Sequence, residues 1–259
     1  MTLDWPLILA FHHIDAAASS RYVVPALVLE RRLGGMLELG FTPLSLEAAL
    51  VTGPFGSGDA APGTFTVTFD DGLGSFAELA LPVLTRLGLI DAVTLFVPTA
   101  YVGGANEWNE SPTPLQRLMP WSDVAERILT WGEIADVSAA GVSVQSHGHR
   151  HLAMQDLTYD DALADALASK EALAAHGIAA RYLALPYGWH SEECERAIGD
   201  AGFDAALSVK WGGRNRFEVR RIPIYGTDHA ITRRLKLSGR YFQAFDTAAW
   251  LAGRKRYAR

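Results

Sequence analysis

Hydrophobic positions along the chain come as short solid runs and as longer stretches with helical spacing, and the two kinds take turns. The apolar run Leu7–Phe11 predicts a buried strand with His12 and His13 at its end, and Thr64–Phe69 predicts a second, β-prone strand. Between them, Leu29, Leu33, Met36 and Leu37 fall on one face of a helix over Pro25–Leu39, which Gly40 stops. A short strand at Thr42–Ser45 and a helix at Leu46–Leu50 follow. Phe76–Leu87 reads as a helix with Pro82 inside it, a kink or a late start, and Phe76, Leu81, Leu84 and Leu87 are its core positions. Ala92–Val97, Val142–Ser146, Arg181–Leu185, Ala205–Val209 and Arg221–Tyr225 are further strands. Helices at Thr130–Ala140, Thr158–His176 and Glu192–Ala201 separate them, the second opened by a capping-box variant at Thr158 and Asp161 and closed by Gly177. Two stretches break the rhythm: a glycine-rich loop, Thr52–Gly63, and an insertion rich in Asn, Pro and Trp, Tyr101–Met119. At least six alternations of strand and helix predict parallel strands joined by helical crossovers in one domain.

Composition narrows the picture. With 259 residues, 49% of them hydrophobic, the chain can bury a full core. A net charge of −6 argues against general nucleic-acid binding. The charge is uneven: from Ile231 to the end, eight Lys or Arg against Asp246 make +7, leaving −13 for the rest. That basic segment, 231–259, is expected to pack on or trail from a domain formed by residues 1–230, with a weaker prospect of touching an anionic surface. The single cysteine, Cys194, has no partner for an internal disulfide. No signal peptide and no span of about 20 apolar residues are visible, so a cytoplasmic location and no transmembrane segment are expected.

Two polar clusters sit at predicted strand ends. Asp70 and Asp71 close the Thr64–Phe69 strand and Gly72 follows. Neighbouring strand residues point to opposite faces, so both carboxylates reach one site only where the strand gives way to a loop. Taken alone, Asp-Asp-Gly reads as a helix cap and a turn, and the second cluster changes that reading. His147 and His151 are four residues apart, about 13 Å on an extended strand, so one metal takes both only if the chain curls after His147. Gly148 eases that curl, and His149 is expected to point elsewhere. Two imidazoles and one carboxylate make the open three-ligand set of a catalytic zinc site, and the same set suits Co²⁺, Ni²⁺ or Mn²⁺.

With Thr68-Phe69-Asp70-Asp71-Gly72 as a first motif and Ser146-His147-Gly148-His149-Arg150-His151 as a second, the chain resembles the polysaccharide deacetylases of carbohydrate esterase family 4, the NodB-like group. Leu183-Ala184-Leu185-Pro186-Tyr187-Gly188 is a weaker third match, and the likeness runs from about Trp5 to Tyr225. The resemblance implies a distorted (β/α) barrel with fewer than eight parallel strands. It implies Asp71, His147 and His151 as ligands of a divalent metal, Zn²⁺ first, and Asp70 as the general base that takes a proton from water. It also implies that the Tyr187 backbone N–H holds the oxyanion formed when water attacks an acetyl group. An acetylated amino sugar or glycan is the implied substrate. Hydrolysis of a non-sugar C–N bond, as in a cyclic imide or ureide, and a metal-retaining non-catalytic homologue are the alternatives.

The departures from that family are informative. An arginine that commonly pairs with the base is replaced at the matching position by Ala184, so Asp70 is expected to be held by Arg150 or a backbone donor. The late Leu-x-His that supplies the general acid is absent, and Asp228-His229 lacks its strand context. The fourth motif is matched only loosely, by Asp204 and Trp211. His12 is the candidate replacement acid, since some members begin with a strand ending in Tyr-His and imidazole suits proton transfer near neutral pH. His13 is expected to face away. Trp108 and Trp189 are candidates either for stacking on a sugar or for packing.

Overall fold

The protein, seen in a computed structural model, is described for residues 5–16, 22–53, 63–108, 125–209, 213 and 215–237. Most of the glycine-rich loop, the insertion from 109 onward, Trp211 and residues 238–259 lie outside the described residues. The strands are β1 (Leu7–Phe11), β2 (His13–Asp15), β3 (Val23–Pro25), β4 (Thr42–Pro43), β5 (Thr64–Phe69), β6 (Val93–Val97), β7 (Ser143–Ser146), β8 (Tyr182–Ala184), β9 (Ala205–Ser208), β10 (Val219–Arg220) and β11 (Ile222–Pro223). The helices are α1 (Ala26–Glu38), α2 (Leu46–Val51), α3 (Leu81–Arg86), α4 (Trp131–Ala139), α5 (Tyr159–Ala175), α6 (Glu192–Asp200) and α7 (Ala230–Leu237). Helix α7 spans the boundary expected at residue 230. None of the described helices is long and apolar enough to cross a membrane.

Parallel pairing runs in the order β10-β9-β8-β7-β6-β5-β1-β11, with β4 added beside β5. Only Arg221 separates β10 from β11, so one interrupted strand pairs with β9 on one side and β1 on the other. The Arg221 N–H donates to Ser208 O at 2.7 Å and the Ile224 N–H to Ala10 O at 2.8 Å. This switch of partners nearly closes the sheet into a barrel. Counting the interrupted strand once leaves seven principal staves, the fewer-than-eight barrel expected from the sequence.

Alternation along the strands separates two cores. Leu7, Leu9, Phe11, Phe65, Val67, Phe69, Val93, Leu95 and Val97 face the helices, together with Leu29, Leu33 and Met36 of α1. Their neighbours Ile8, Phe96, Tyr182, Ala184, Ala205, Leu207 and Val219 form a smaller cluster with Leu46 of α2. Thr66 and Thr68 share that inner face, and their hydroxyls donate to Ala92 O and Leu9 O. Pro82 explains its place by position. Phe76–Ala80 is a π-helical turn that runs on with helical backbone into α3 at Leu81, so the proline stands at the junction of the two.

Phe69 is the keystone of the outer core, with its ring 5.3 Å from Phe11 and 5.0 Å from Phe76. Phe69→Ala is expected to lower unfolding free energy by about 3–5 kcal/mol in urea titrations. A loss below ~1 kcal/mol would show that this part of the core refills the space.

Candidate metal centre and active site

The two adjacent aspartates share one site because the backbone reverses between them. Asp70 continues the inward alternation of Thr66 and Thr68. Asp71 would then face outward, but its φ of 73° turns the chain back. Gly72 continues the turn at φ 62°, and a Cβ there would stand 3.3 Å from Val97. Among the described residues, the non-glycine positions with left-handed backbone are Asp71, His151 and Tyr187. All three are residues that the sequence pointed to. Such conformations cost of order 1–3 kcal/mol each and persist where surrounding contacts enforce them.

His147, the residue after β7, donates its Nδ1–H to Ala184 O at 2.8 Å. Because a carbonyl only accepts, Nδ1 carries the proton and Nε2 keeps its lone pair. Nε2 stands 3.3 Å from Asp71 Oδ1, and His151 Nε2 stands 3.2 Å from the same oxygen. Both imidazoles are buried, and the three candidate ligand atoms lie within 4.8 Å of one another. Asp71 Oδ1 is buried and has no hydrogen-bond partner of good geometry. Ligands around one tetrahedral cation, at bonds of ~2.0–2.2 Å, stand roughly 3.3–3.5 Å apart. The donor set and its spacing therefore fit a divalent metal. Burial raises the Asp71 carboxyl, but the two imidazoles overrule it and hold it well below the ordinary carboxylate range. For His147, burial lowers the imidazole while Asp70 and Asp71 raise it to a net increase; at His151 burial prevails and the shift is downward.

Asp70 is held by a residue that the sequence reading missed. Arg221 Nη1 donates to Asp70 Oδ1 at 2.6 Å and Nη2 to Oδ2 at 2.8 Å, a two-pronged buried pair. Nη1 also donates to Thr68 Oγ1 at 3.0 Å, and the guanidinium lies 5.3 Å from the Phe96 ring centre. Arg150, expected as a partner for Asp70, instead pairs with Asp165, because its N–H and Nε groups face α5. The missed signal was an arginine opening an otherwise apolar run, Arg221-Ile222-Pro223-Ile224, at the barrel seam. Burial alone would raise the Asp70 carboxyl; Arg221, with help from His147 and His12, leaves it lowered, so it is ionised at neutral pH.

His12 Nε2 stands 3.6 Å from Asp70 Oδ2, so the structure brings this candidate acid to the site. His13 turns the other way, with Nδ1 2.8 Å from Glu126 Oε2. His149 leaves the cluster through a 2.9 Å contact with Thr99 Oγ1. Tyr187, at φ 62° in the turn after β8, places its ring edge-on to His151 with centres 4.9 Å apart. Trp108 is buried and stacks on His151, its ring centre 4.1 Å away, so it packs on an imidazole expected to bind metal. Asp204 pairs with exposed Arg181, and Asp228 pairs with buried Lys236. His190, Glu195 and Glu218 form a second compact set. There His190 Nε2 approaches both carboxylates, Asn215 donates to Glu195 Oε2 at 2.8 Å, and both carboxylates have further partners. Ion pairing and hydrogen bonding account for that set.

Arg221→Leu is expected to cost about 3–5 kcal/mol at pH 7, because it leaves Asp70 buried and unpaired. Asp70→Asn in the same chain should recover part of that loss. Simple additivity of the two changes in urea unfolding would deny the pairing. The sign with pH follows from a lowered folded-state value: the pair's stabilisation is present above the ordinary 3.8 and is lost as pH falls through the depressed value of Asp70.

Residues 57–206, more than half of the chain, match the sequence profile of the polysaccharide deacetylases. No curated protein sequence matches the chain significantly. Among solved structures, IcaB from Ammonifex degensii is similar at 19% identity, over 92% of this chain and 97% of that one, with a TM-score of 0.69. The deacetylase PplD of Streptococcus pyogenes, solved with acetate, is 18% identical over 88% of this chain and 95% of its own, with a TM-score of 0.66. A de-N-acetylase from Aggregatibacter actinomycetemcomitans is 15% identical over 89% and 98%, with a TM-score of 0.68. At these identities the structural likeness speaks for the fold, and it is the same nearly closed barrel. The profile match takes in the Asp-Asp-Gly turn, the histidine loop and the Pro-Tyr-Gly turn together, and on that ground the chain belongs to the polysaccharide deacetylase family of hydrolases.

Proposed function

We propose that the protein is a metal-dependent deacetylase that releases acetate from an N-acetylated amino sugar within a glycan. The observation that carries this reading is the convergence of Asp71 Oδ1 with His147 Nε2 and His151 Nε2, beside a second carboxylate that is held apart by Arg221. Asp71, His147 and His151 would hold the metal, with Zn²⁺ the first candidate and Co²⁺, Ni²⁺ or Mn²⁺ also suited to the donors. A divalent cation bound there supplies Lewis acidity, acidifying a water and polarising the acetyl carbonyl.

The chain's own residues then divide the proton transfers. Asp70, ionised and fixed by Arg221, takes the proton from the attacking water at a carboxylate oxygen. The same pairing keeps Asp70 from acting as a fourth ligand. Tyr187 offers its backbone N–H to the carbonyl oxygen as that oxygen gains charge. His12 Nε2 hands a proton to the amide nitrogen as the C–N bond breaks, giving acetate and a free amine. Trp108 walls off His151 and limits solvent on that side.

Metal analysis of protein purified without added metal, paired with acetate release from N-acetylglucosamine oligomers, tests this reading. Asp71→Ala and His147→Ala should each lose the metal, and chelation should abolish acetate release. Asp70→Asn should keep the metal and lose about 10²-fold or more in rate. Full activity in that variant would remove Asp70 from its role, and turnover of cyclic imides but no acetamides would replace the sugar reading. His12→Gln should slow acetamide cleavage by about 10²–10⁴-fold while sparing an aryl acetate, whose leaving group departs without a proton. Equal losses on both substrates would take the acid role from His12.

A further inference from the structure

The curl of the histidine loop leans on a carboxylate outside every sequence motif. Asp165 stands on α5 one turn before Ser169, on a buried face otherwise formed by Ala162, Ala166 and Leu173. Both polar side chains are buried, at 1% and 0% exposure. Asp165 Oδ2 accepts the His149 N–H at 2.8 Å, and Oδ1 accepts the Arg150 N–H at 3.2 Å and Arg150 Nε at 2.9 Å. Ser169 Oγ lies 2.7 Å from Ser146 Oγ, which accepts the Gly148 N–H at 3.1 Å. The amides of three consecutive residues, 148 to 150, are thus gathered toward α5.

The sequence spacing makes this gathering matter. His147 and His151 would stand about 13 Å apart on an extended chain. Their Nε2 atoms reach the same oxygen of Asp71 because the loop reverses over Asp165, with Gly148 at φ 75° and His151 at φ 51°. A side chain at 148 would meet the carboxylate, since a Cβ there would stand 3.1 Å from Asp165 Oδ2. A buried carboxylate is costly unless donors surround it. Here two of its three hydrogen-bond donors are main-chain groups of the loop itself, so carboxylate and loop conformation stabilise each other.

We propose that Asp165, with Ser169 beside it, is a positioning residue for the metal: it fixes the amides of residues 148–150 so that His147 and His151 turn toward Asp71. The inference rests on the reading of Asp71, His147 and His151 as metal ligands. It predicts that Asp165 sets metal affinity and geometry without touching the ion. Asn at this position keeps the shape but presents an amide NH₂ to N–H donors.

The test uses the full-length chain, stripped of metal and titrated with Zn²⁺ against a chromogenic chelator. Co²⁺ is then added in its place and the visible absorption recorded. Asp165→Asn should weaken Zn²⁺ binding about 10–100-fold, the scale of losing a partner that orients a ligand, and should alter the Co²⁺ spectrum. Ser169→Ala should weaken binding by a smaller factor. Arg150→Ala, which removes only the half-exposed arm of the network, should change affinity less than about fivefold. Wild-type Zn²⁺ affinity and Co²⁺ spectrum in Asp165→Asn, even with a lower melting temperature, would make Asp165 a folding residue and overturn the proposal. Should that variant fail to fold, Ser169→Ala decides, and unchanged binding and spectrum there overturn it as well. A wild-type chain that binds no metal would instead strike down the ligand assignment, and the inference with it.

Discussion

The buried pair between Asp70 and Arg221 joins the architecture to the chemistry. Arg221 occupies the one-residue break between β10 and β11, where the seam of the barrel changes partner from β9 to β1. Its guanidinium points inward to Phe96, Thr68 and Asp70. Taking both charges out of water is costly, and the two-pronged geometry with a third acceptor offsets that cost. Closing the barrel and placing the carboxylate are therefore one event. A chain that failed to close would have no held carboxylate, and a chain without Asp70 would bury a cation at its seam.

A second constraint acts on the backbone. Asp71, His151 and Tyr187 all take left-handed conformations that L-residues with side chains seldom adopt. Each sits in a loop that follows a strand, two residues after β5 for Asp71, five after β7 for His151 and three after β8 for Tyr187. Strand alternation alone would send Asp71 outward, and loop extension alone would carry His151 out of reach of His147. The strain is the local cost of making residues near in sequence converge on one point. The packing of Trp108 and Tyr187 against His151 helps to hold that arrangement.

Much of this was legible in the sequence. Strand and helix alternation gave parallel strands with helical crossovers, the family resemblance gave the barrel, and the Thr158 cap appears where the spacing placed it. The meeting of Asp71, His147 and His151, with Asp70 beside them, was legible because all four stand in two short motifs at strand ends. Arg221 was not, because it lies 151 positions from Asp70 and supplies by tertiary contact what Ala184 no longer can. Ala184 has a different part, since its carbonyl fixes the tautomer of His147 through main-chain geometry that side-chain identity does not report. The exchange of Arg150 from Asp70 to Asp165 has the same origin: a loop's turn decides which carboxylate its arginine meets. Asp165 itself left only a faint mark, an acid on a buried face of α5 made otherwise of Ala162, Ala166, Ser169 and Leu173.

The central claim is that two neighbouring aspartates divide their duties, one giving its lone pair to a cation and the other kept from it by an arginine. The most direct measurement is a crystal structure of the full-length protein grown with Zn²⁺, with the ion located by its anomalous signal. The account predicts one ion at ~2.0–2.2 Å from Asp71 Oδ1, His147 Nε2 and His151 Nε2, with Asp70 still paired to Arg221 through both oxygens. An ion bound by Asp70, or these three side chains turned apart with no ion between them, would contradict it.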